Sequence, residues 1–130
     1  MNVLGQMNNV DTKYKEFDMS YNGTRIAASD LKGQIDVYDI KNGVFEKKGD
    51  TIVETSSTEP RGSISLSSDG RYLATGDAYF DRNMGRVRVW ELIGNTWTQV
   101  GNTIVGDSLN DFVGFTGGGE ITISLSSNGT

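Results

Sequence analysis

The chain has no cysteine and no histidine among its 130 residues, and only one proline. Without cysteine there is no disulfide, no thiol nucleophile and no thiolate metal site. Without histidine, the commonest general base near neutral pH and the usual transition-metal ligand are both missing. Long apolar runs are absent as well. No stretch approaches the length of a membrane-spanning helix, and the opening MNVLGQMNNVDTKYKE has neither the basic head nor the apolar core of a signal peptide. Basic charge is scarce, with 12 Lys and Arg against 17 Asp and Glu, a formal net charge of −5 and a pI near 4.6. That balance argues against nucleic acid or an anionic membrane as the main partner, since both call for a basic patch. The Lys47-Lys48 pair and Arg86/Arg88 are too few to reverse it.

What the chain has in plenty is glycine, 17 residues, and a phrase that recurs. FDMSYNGT begins at Phe17, ISLSSDGR at Ile64 and ISLSSNGT at Ile123. Phe17 to Asp30 aligns with Ile64 to Asp77 at an offset of 47, with Ser20 on Ser67, Gly23 on Gly70, Ala27 on Ala74 and Asp30 on Asp77. Five residues, Ala78 to Arg82, are then inserted, and the offset becomes 52. Gly33 now falls on Gly85, Ile35 on Val87, Val37 on Val89, Tyr38 on Trp90, Phe45 on Trp97, Gly49 on Gly101 and Ile52 on Ile104.

Each copy predicts four short strands. ISLS alternates apolar and polar residues, the period of a strand. Asn22-Gly23, Asp69-Gly70 and Asn128-Gly129 are dipeptides suited to positive φ at both central positions of a tight hairpin turn. RYLATG forms the second strand. RVRVWEL, rich in β-branched and aromatic residues, forms the third. A further turn is expected at Asn42-Gly43 or Gly94-Asn95, followed by an outer strand such as TWTQVGNTIV. Apolar residues recur at two rather than at three or four, so the expected class is all-β without a helix.

Four antiparallel strands repeated every 47 to 59 residues read as β-propeller blades. SSDGRYLATGDAYFDRNMGRVRVWEL resembles the middle of a WD-type repeat, where an SPDG turn, a small-residue strand and a VRVWD strand follow in order. The chain also resembles FG-GAP-like repeats of integrin-type propellers, with Asp111-Phe112-Val113-Gly114 and Gly76-Asp77-Ala78 in the signature places. It departs from both families. The histidine of the WD hydrogen-bond network is missing, Glu91 replaces the Asp of the WD pair, and Tyr38-Asp39 stands there in the first copy. SSDGR carries a single acid where integrin repeats carry a calcium loop, so calcium binding is not carried over.

The expected organisation is one propeller-type domain over 1–130. Residues 1–16 would be the last strand of a preceding blade, 17–63 and 64–122 two full blades, and 123–130 the first strand of a following one. Closed propellers need at least about four blades, so self-association or further blades are the expected means of completing a ring. A face of four strands of about 17 Å, spaced at about 4.8 Å, covers roughly 320 Å². Two uncovered faces would exceed what a soluble monomer usually exposes.

No catalytic, cofactor-binding or metal-ligating residue is assigned, and no cofactor. Trp90, Trp97, Tyr38 and Phe45 could stack on sugars, but their recurrence favours packing between blades. Asp77, Asp81 and Asn83 of the inserted loop 77–85 carry oxygens that could meet calcium, though without the alternate-acid spacing of known loops. GDSLNDFVGFTGGGE lacks the Gly-Lys-Ser/Thr ending of a phosphate cradle. Ser65, Ser67, Ser124 and Ser126 have no histidine to activate them. Asp107/Asp111 and Glu54/Glu59 are the nearest candidates for paired carboxylates. The functional expectation is a non-catalytic scaffold binding a protein or glycan, as propellers often do through their loops. The alternatives are a fragment of a propeller hydrolase or lyase, and an incomplete reading frame without independent function.

Overall fold

The computed structural model describes residues 14–30, 33–53, 63–109 and 124–126. The first sheet is formed by β1 (Tyr14–Met19), β2 (Arg25–Asp30), β3 (Gln34–Lys41), β4 (Val44–Lys47) and β5 (Ile52–Val53). The second is formed by β6 (Ile64–Leu66), β7 (Tyr72–Asp77), β8 (Arg86–Ile93) and β9 (Thr96–Val105). Both are antiparallel meanders, strands following one another in chain order. The only helical element among the described residues is a turn, α1 (Phe80–Asn83), in which Asp81 and Arg82 have left-handed dihedrals (φ 43, ψ 73 and φ 56, ψ 42).

The fourth strand takes two forms. In the second sheet it is continuous, with a register irregularity between Val87 and Val89 on its neighbour. In the first sheet it is split, β4 and β5 both pairing with β3 on either side of Lys48-Gly49-Asp50-Thr51. Gly49 and Gly101, aligned by sequence, both take the positive φ that suits a bulge (79° and 73°). At Gly49 the need is also steric. A Cβ there would lie 2.7 Å from the Trp97 ring.

The first turn of each copy differs from the sequence expectation. Gly23 (φ 72°) and Gly70 (φ 73°) have positive φ, but Asn22 and Asp69 do not. The turn is shifted by one residue: Gly23 N–H donates to Ser20 O at 2.9 Å, and Gly70 N–H to Ser67 O at 2.8 Å. The side chains impose this. Asn22 Oδ1 accepts from Ser20 Oγ (3.0 Å), Thr24 N (3.2 Å) and Thr24 Oγ1 (2.7 Å). Asp69 Oδ1 likewise accepts from Ser67 Oγ (2.7 Å) and Arg71 N (3.0 Å). An Asx side chain bonded to the backbone two residues on substitutes for a second positive φ. Asn42-Gly43 does follow the mirror-image rule, with φ of 53° and 76°. Asn128-Gly129 lies outside the described residues.

The sheets pack face to face on period-two alternation. Ala27, Ile35, Val37 and Ile52 of the first sheet meet Leu66, Leu73 and Trp97 of the second, with Ile64, Trp90 and Leu92 against them. Ile35, Val37 and Leu73 are fully buried, each contributing about 1.5–3 kcal/mol by removal from water. Tyr38 and Phe45 alternate to the other face of the first sheet, where their rings meet edge-on at 6.3 Å and 83°.

Candidate functional site: the joint between the sheets and its two rims

The joint starts at the innermost strands. Asp18 on β1 accepts the amide of Leu66 on β6 through Oδ2 at 2.6 Å. Ser65 occupies the place of Asp18 one repeat later, and its Oγ accepts the amide of Leu125 at 3.0 Å. The third copy of the serine phrase therefore contacts the second sheet as the second copy contacts the first. Farther out, Trp97 inserts between the sheets. Its indole N–H donates to Lys48 O (3.0 Å), its backbone N–H to Asp50 Oδ1 (2.8 Å), and Asn95 Oδ1 accepts from Gly49 N (3.1 Å). Arg88 donates to Val53 O at 3.2 Å and lies over the Trp90 ring.

On one rim, the turns after β1 and β6 touch. Tyr21 N–H donates to Ser68 O at 3.1 Å. Arg25 donates to Asp39 (2.6 and 3.2 Å) and to Gly70 O (2.8 Å). An open cavity of about 220 Å³ lies beside this pair, lined by Thr24, Arg25, Asp39, Ile40, Lys41 and Asp69. The Arg25 guanidinium that lines it is engaged by Asp39 and Gly70 O, and Asp69 Oδ1 by Ser67 and Arg71, so these lining groups already serve the joint. Asp69 is held below the usual carboxylate value, chiefly by the Ser67 hydroxyl and then by the Arg71 amide.

The opposite rim carries the insertion between β7 and β8. Asp77 is fully buried, and its Oδ1 accepts from Tyr79 N at 3.2 Å. Arg86 approaches its carboxylate at 3.9 Å and lies over the Phe80 ring at 4.3 Å. Asp81, Arg82 and Asn83 all have positive φ (43°, 56° and 66°), and Asp81 and Arg82 are exposed. Asp77 thus turns into the sheet end while Asp81 faces solvent. Among the described residues, no group of three or more His, Cys, Asp or Glu side chains is arranged to hold a metal ion.

Of the serines considered at the sequence level, Ser65 and Ser67 serve the scaffold. Ser67 Oγ donates to Asp69 and accepts from Tyr72 N (3.0 Å), and Ser65 receives Leu125. Asp107 sits in an exposed turn. Glu54, Glu59, Asp111-Phe112-Val113-Gly114 and the triple glycine fall outside the described residues. The inter-sheet acceptor position shared by Asp18 and Ser65 was missed. The alignment put both residues in register, and that was the available signal.

No known family profile matches the chain, and no curated protein does. Among solved structures it is similar to a candidate 6-phosphogluconolactonase from Bacteroides uniformis, at 19% identity and a TM-score of 0.55, over 72% of this chain and 27% of that one. A candidate 6-phosphogluconolactonase from Bacteroides fragilis gives 19% and 0.53, over 68% and 25%. The WD40 repeats of RRP9 give 18% and 0.50, over 76% and 28%. The fold is of the β-propeller type. The two four-stranded units are blades, and the chain spans about a quarter of the length of the structures it matches. At these identities the likeness concerns the fold alone.

Proposed function

We propose that the chain is a non-catalytic, WD-like propeller scaffold with repeats dividing near residues 17, 64 and 123, and that its partner is a protein, in the first instance a second copy of itself. One observation carries this: the same blade face has two different fates. On the first blade Ala27, Ile35, Val37 and Ile52 are at most 4% exposed beneath the second blade. Their equivalents on the second blade are Ala74, Val87, Val89 and Ile104. Ala74 is as buried there as Ala27 is on the first blade, but Val87 and Val89 are only half-buried and Ile104 is 60% exposed. Leu125 meets the inner margin of that blade at Ser65, while Ile104 near its outer edge is exposed.

The matching surface is the front of a first blade. Met19 (49% exposed), Ile40 and Phe45 stand where Leu66, Leu92 and Trp97 stand on the second. The contact is head to tail, continuing the joint inside the chain. A footprint of roughly 320 Å² per side is small for a stable complex, so association is weak and concentration-dependent.

Sedimentation equilibrium tests this. The unaltered chain associates as concentration rises, Ile104→Lys and Met19→Lys each stay monomeric, and mixing the two gives a pair that grows no further. A monomer throughout the series overturns self-association. Turnover of 6-phosphogluconolactone overturns the non-catalytic assignment, and specific signals on a glycan array overturn the assignment of a protein partner.

A further inference from the structure

Two Asn-Gly dipeptides lie within the described residues, in turns of opposite character. We propose that Asn42 is a site of spontaneous deamidation, while Asn22 is protected from it by the joint between the blades. The chemistry needs only the chain and water. The backbone nitrogen of Gly43 attacks Cγ of Asn42, the bond from Cγ to the side-chain nitrogen breaks, and ammonia leaves with the proton the amide gave up. Water then opens the cyclic imide at one carbonyl or the other, leaving aspartate or isoaspartate. Glycine favours the attack because no side chain shields its nitrogen.

At Asn22 both reacting groups are held. The nucleophile, Gly23 N–H, donates to Ser20 O at 2.9 Å. The electrophilic amide has its oxygen fixed by Ser20 Oγ, Thr24 N and Thr24 Oγ1 at 3.0, 3.2 and 2.7 Å. The turn is moreover tied to the second blade through Tyr21 N–H to Ser68 O (3.1 Å) and Arg25 to Gly70 O (2.8 Å). Rearranging it means loosening the inter-blade contact.

Asn42 has none of this. It is exposed at the tip of the β3–β4 hairpin, and among the described residues neither its side chain nor the Gly43 N–H makes a hydrogen bond. The ring that forms contains the Asn42 Cα–C and Cα–Cβ bonds, so ψ and χ1 must turn for it to close, which the hairpin geometry restrains. Yet β4 is only four residues long, and its Val44 is 59% exposed. Such a hairpin tip opens by local fluctuation without global unfolding. The products matter to the fold. Isoaspartate would lengthen a two-residue turn by one backbone atom and disturb the β3–β4 register, and either product adds a negative charge beside Lys41.

The test is to incubate the full chain under native conditions at mildly alkaline pH and follow each site by peptide mapping and mass spectrometry. Losing two ordinary hydrogen bonds before reaction corresponds to slowing by about tenfold or more. Asn42 is therefore expected to convert at least about tenfold faster than Asn22 in the folded chain. In urea the two rates converge, because neighbouring sequence then matters more than structure. Equal rates in the folded chain, or faster loss at Asn22, overturn the proposal. So does a rate ratio that persists unchanged in urea. Asn128-Gly129 gives a separate peptide and does not confuse the readout.

Discussion

Replacing Trp97 by alanine tests the joint most directly. Trp97 is 4% exposed, and its ring contacts the Gly49 backbone and Leu66 and Leu73 belong to the same buried cluster. Removing a buried Trp side chain typically costs about 3–5 kcal/mol. The carbonyl of Lys48, which accepts the indole N–H at 3.0 Å, would also lose its partner, adding about 1 kcal/mol or more if water cannot reach it. A loss of about 4–6 kcal/mol is a large share of the 5–15 kcal/mol of a typical domain. In urea, with a slope of about 2 kcal/mol per molar, the midpoint falls by about 2–3 M. Because the side chain and its hydrogen bond both act across the blades, the slope should fall too, as the blades begin to unfold separately. Trp97→Phe keeps most of the packing and loses the hydrogen bond, so about 1–2 kcal/mol is expected. Phe45→Ala, at the equivalent but half-buried position, should cost less than Trp97→Ala. A Trp97→Ala midpoint within about 0.5 M of the unaltered chain would refute the packing argument.

Other substitutions probe other parts. Gly49→Ala combines a left-handed backbone with a Cβ 2.7 Å from Trp97, whereas Gly101→Ala meets nothing within 4 Å; chemical denaturation should show a loss of about 1 kcal/mol for Gly101→Ala and distinctly more for Gly49→Ala. Asp18→Ala leaves the Leu66 amide without its 2.6 Å acceptor and should cost about 1–3 kcal/mol; Asp18→Ser should be milder, since Ser65 does the same work one blade later, and thermal melts would rank the two. Asp69 is held below its ordinary pKa, so its contribution is present above the unfolded carboxylate value and is lost as pH falls through the lowered folded value. Asp69→Asn, which copies Asn22, should leave neutral-pH stability nearly unchanged and remove that part of the acid-induced loss; an identical pH profile for both proteins would count against it.

Much of this architecture can be read from residue order alone, because the strands are short and the repeat reports on itself. Matching Gly49 to Gly101 paired the two glycines that take positive φ in the outer strands, and matching Phe45 to Trp97 found the aromatic position. What was not legible depended on side-chain bonding that neither periodicity nor turn dipeptides report. The turn at Asn22 was expected as a two-residue reversal, but the Ser20 hydroxyl and Asn22 oxygen select a longer one. The left-handed run Asp81–Asn83 has no glycine to announce it; Arg86 over Phe80 and beside Asp77 lies on the adjoining strand end. Whether Tyr38 and Phe45 would face the other described blade could not be told from recurrence, which marks equivalent positions but not which neighbour covers them.

The acceptor on each innermost strand, Asp18 and then Ser65, captures an amide of the segment that comes after it. Such a link has a direction, like a hook meeting an eye, and neither half can mate with its own kind. Copying a stretch of gene that carries both halves adds a unit already equipped to join its predecessor. A unit so added meets its neighbour through the same kind of bond, and the insertion Ala78 to Arg82 lies on the opposite rim from the touching turns.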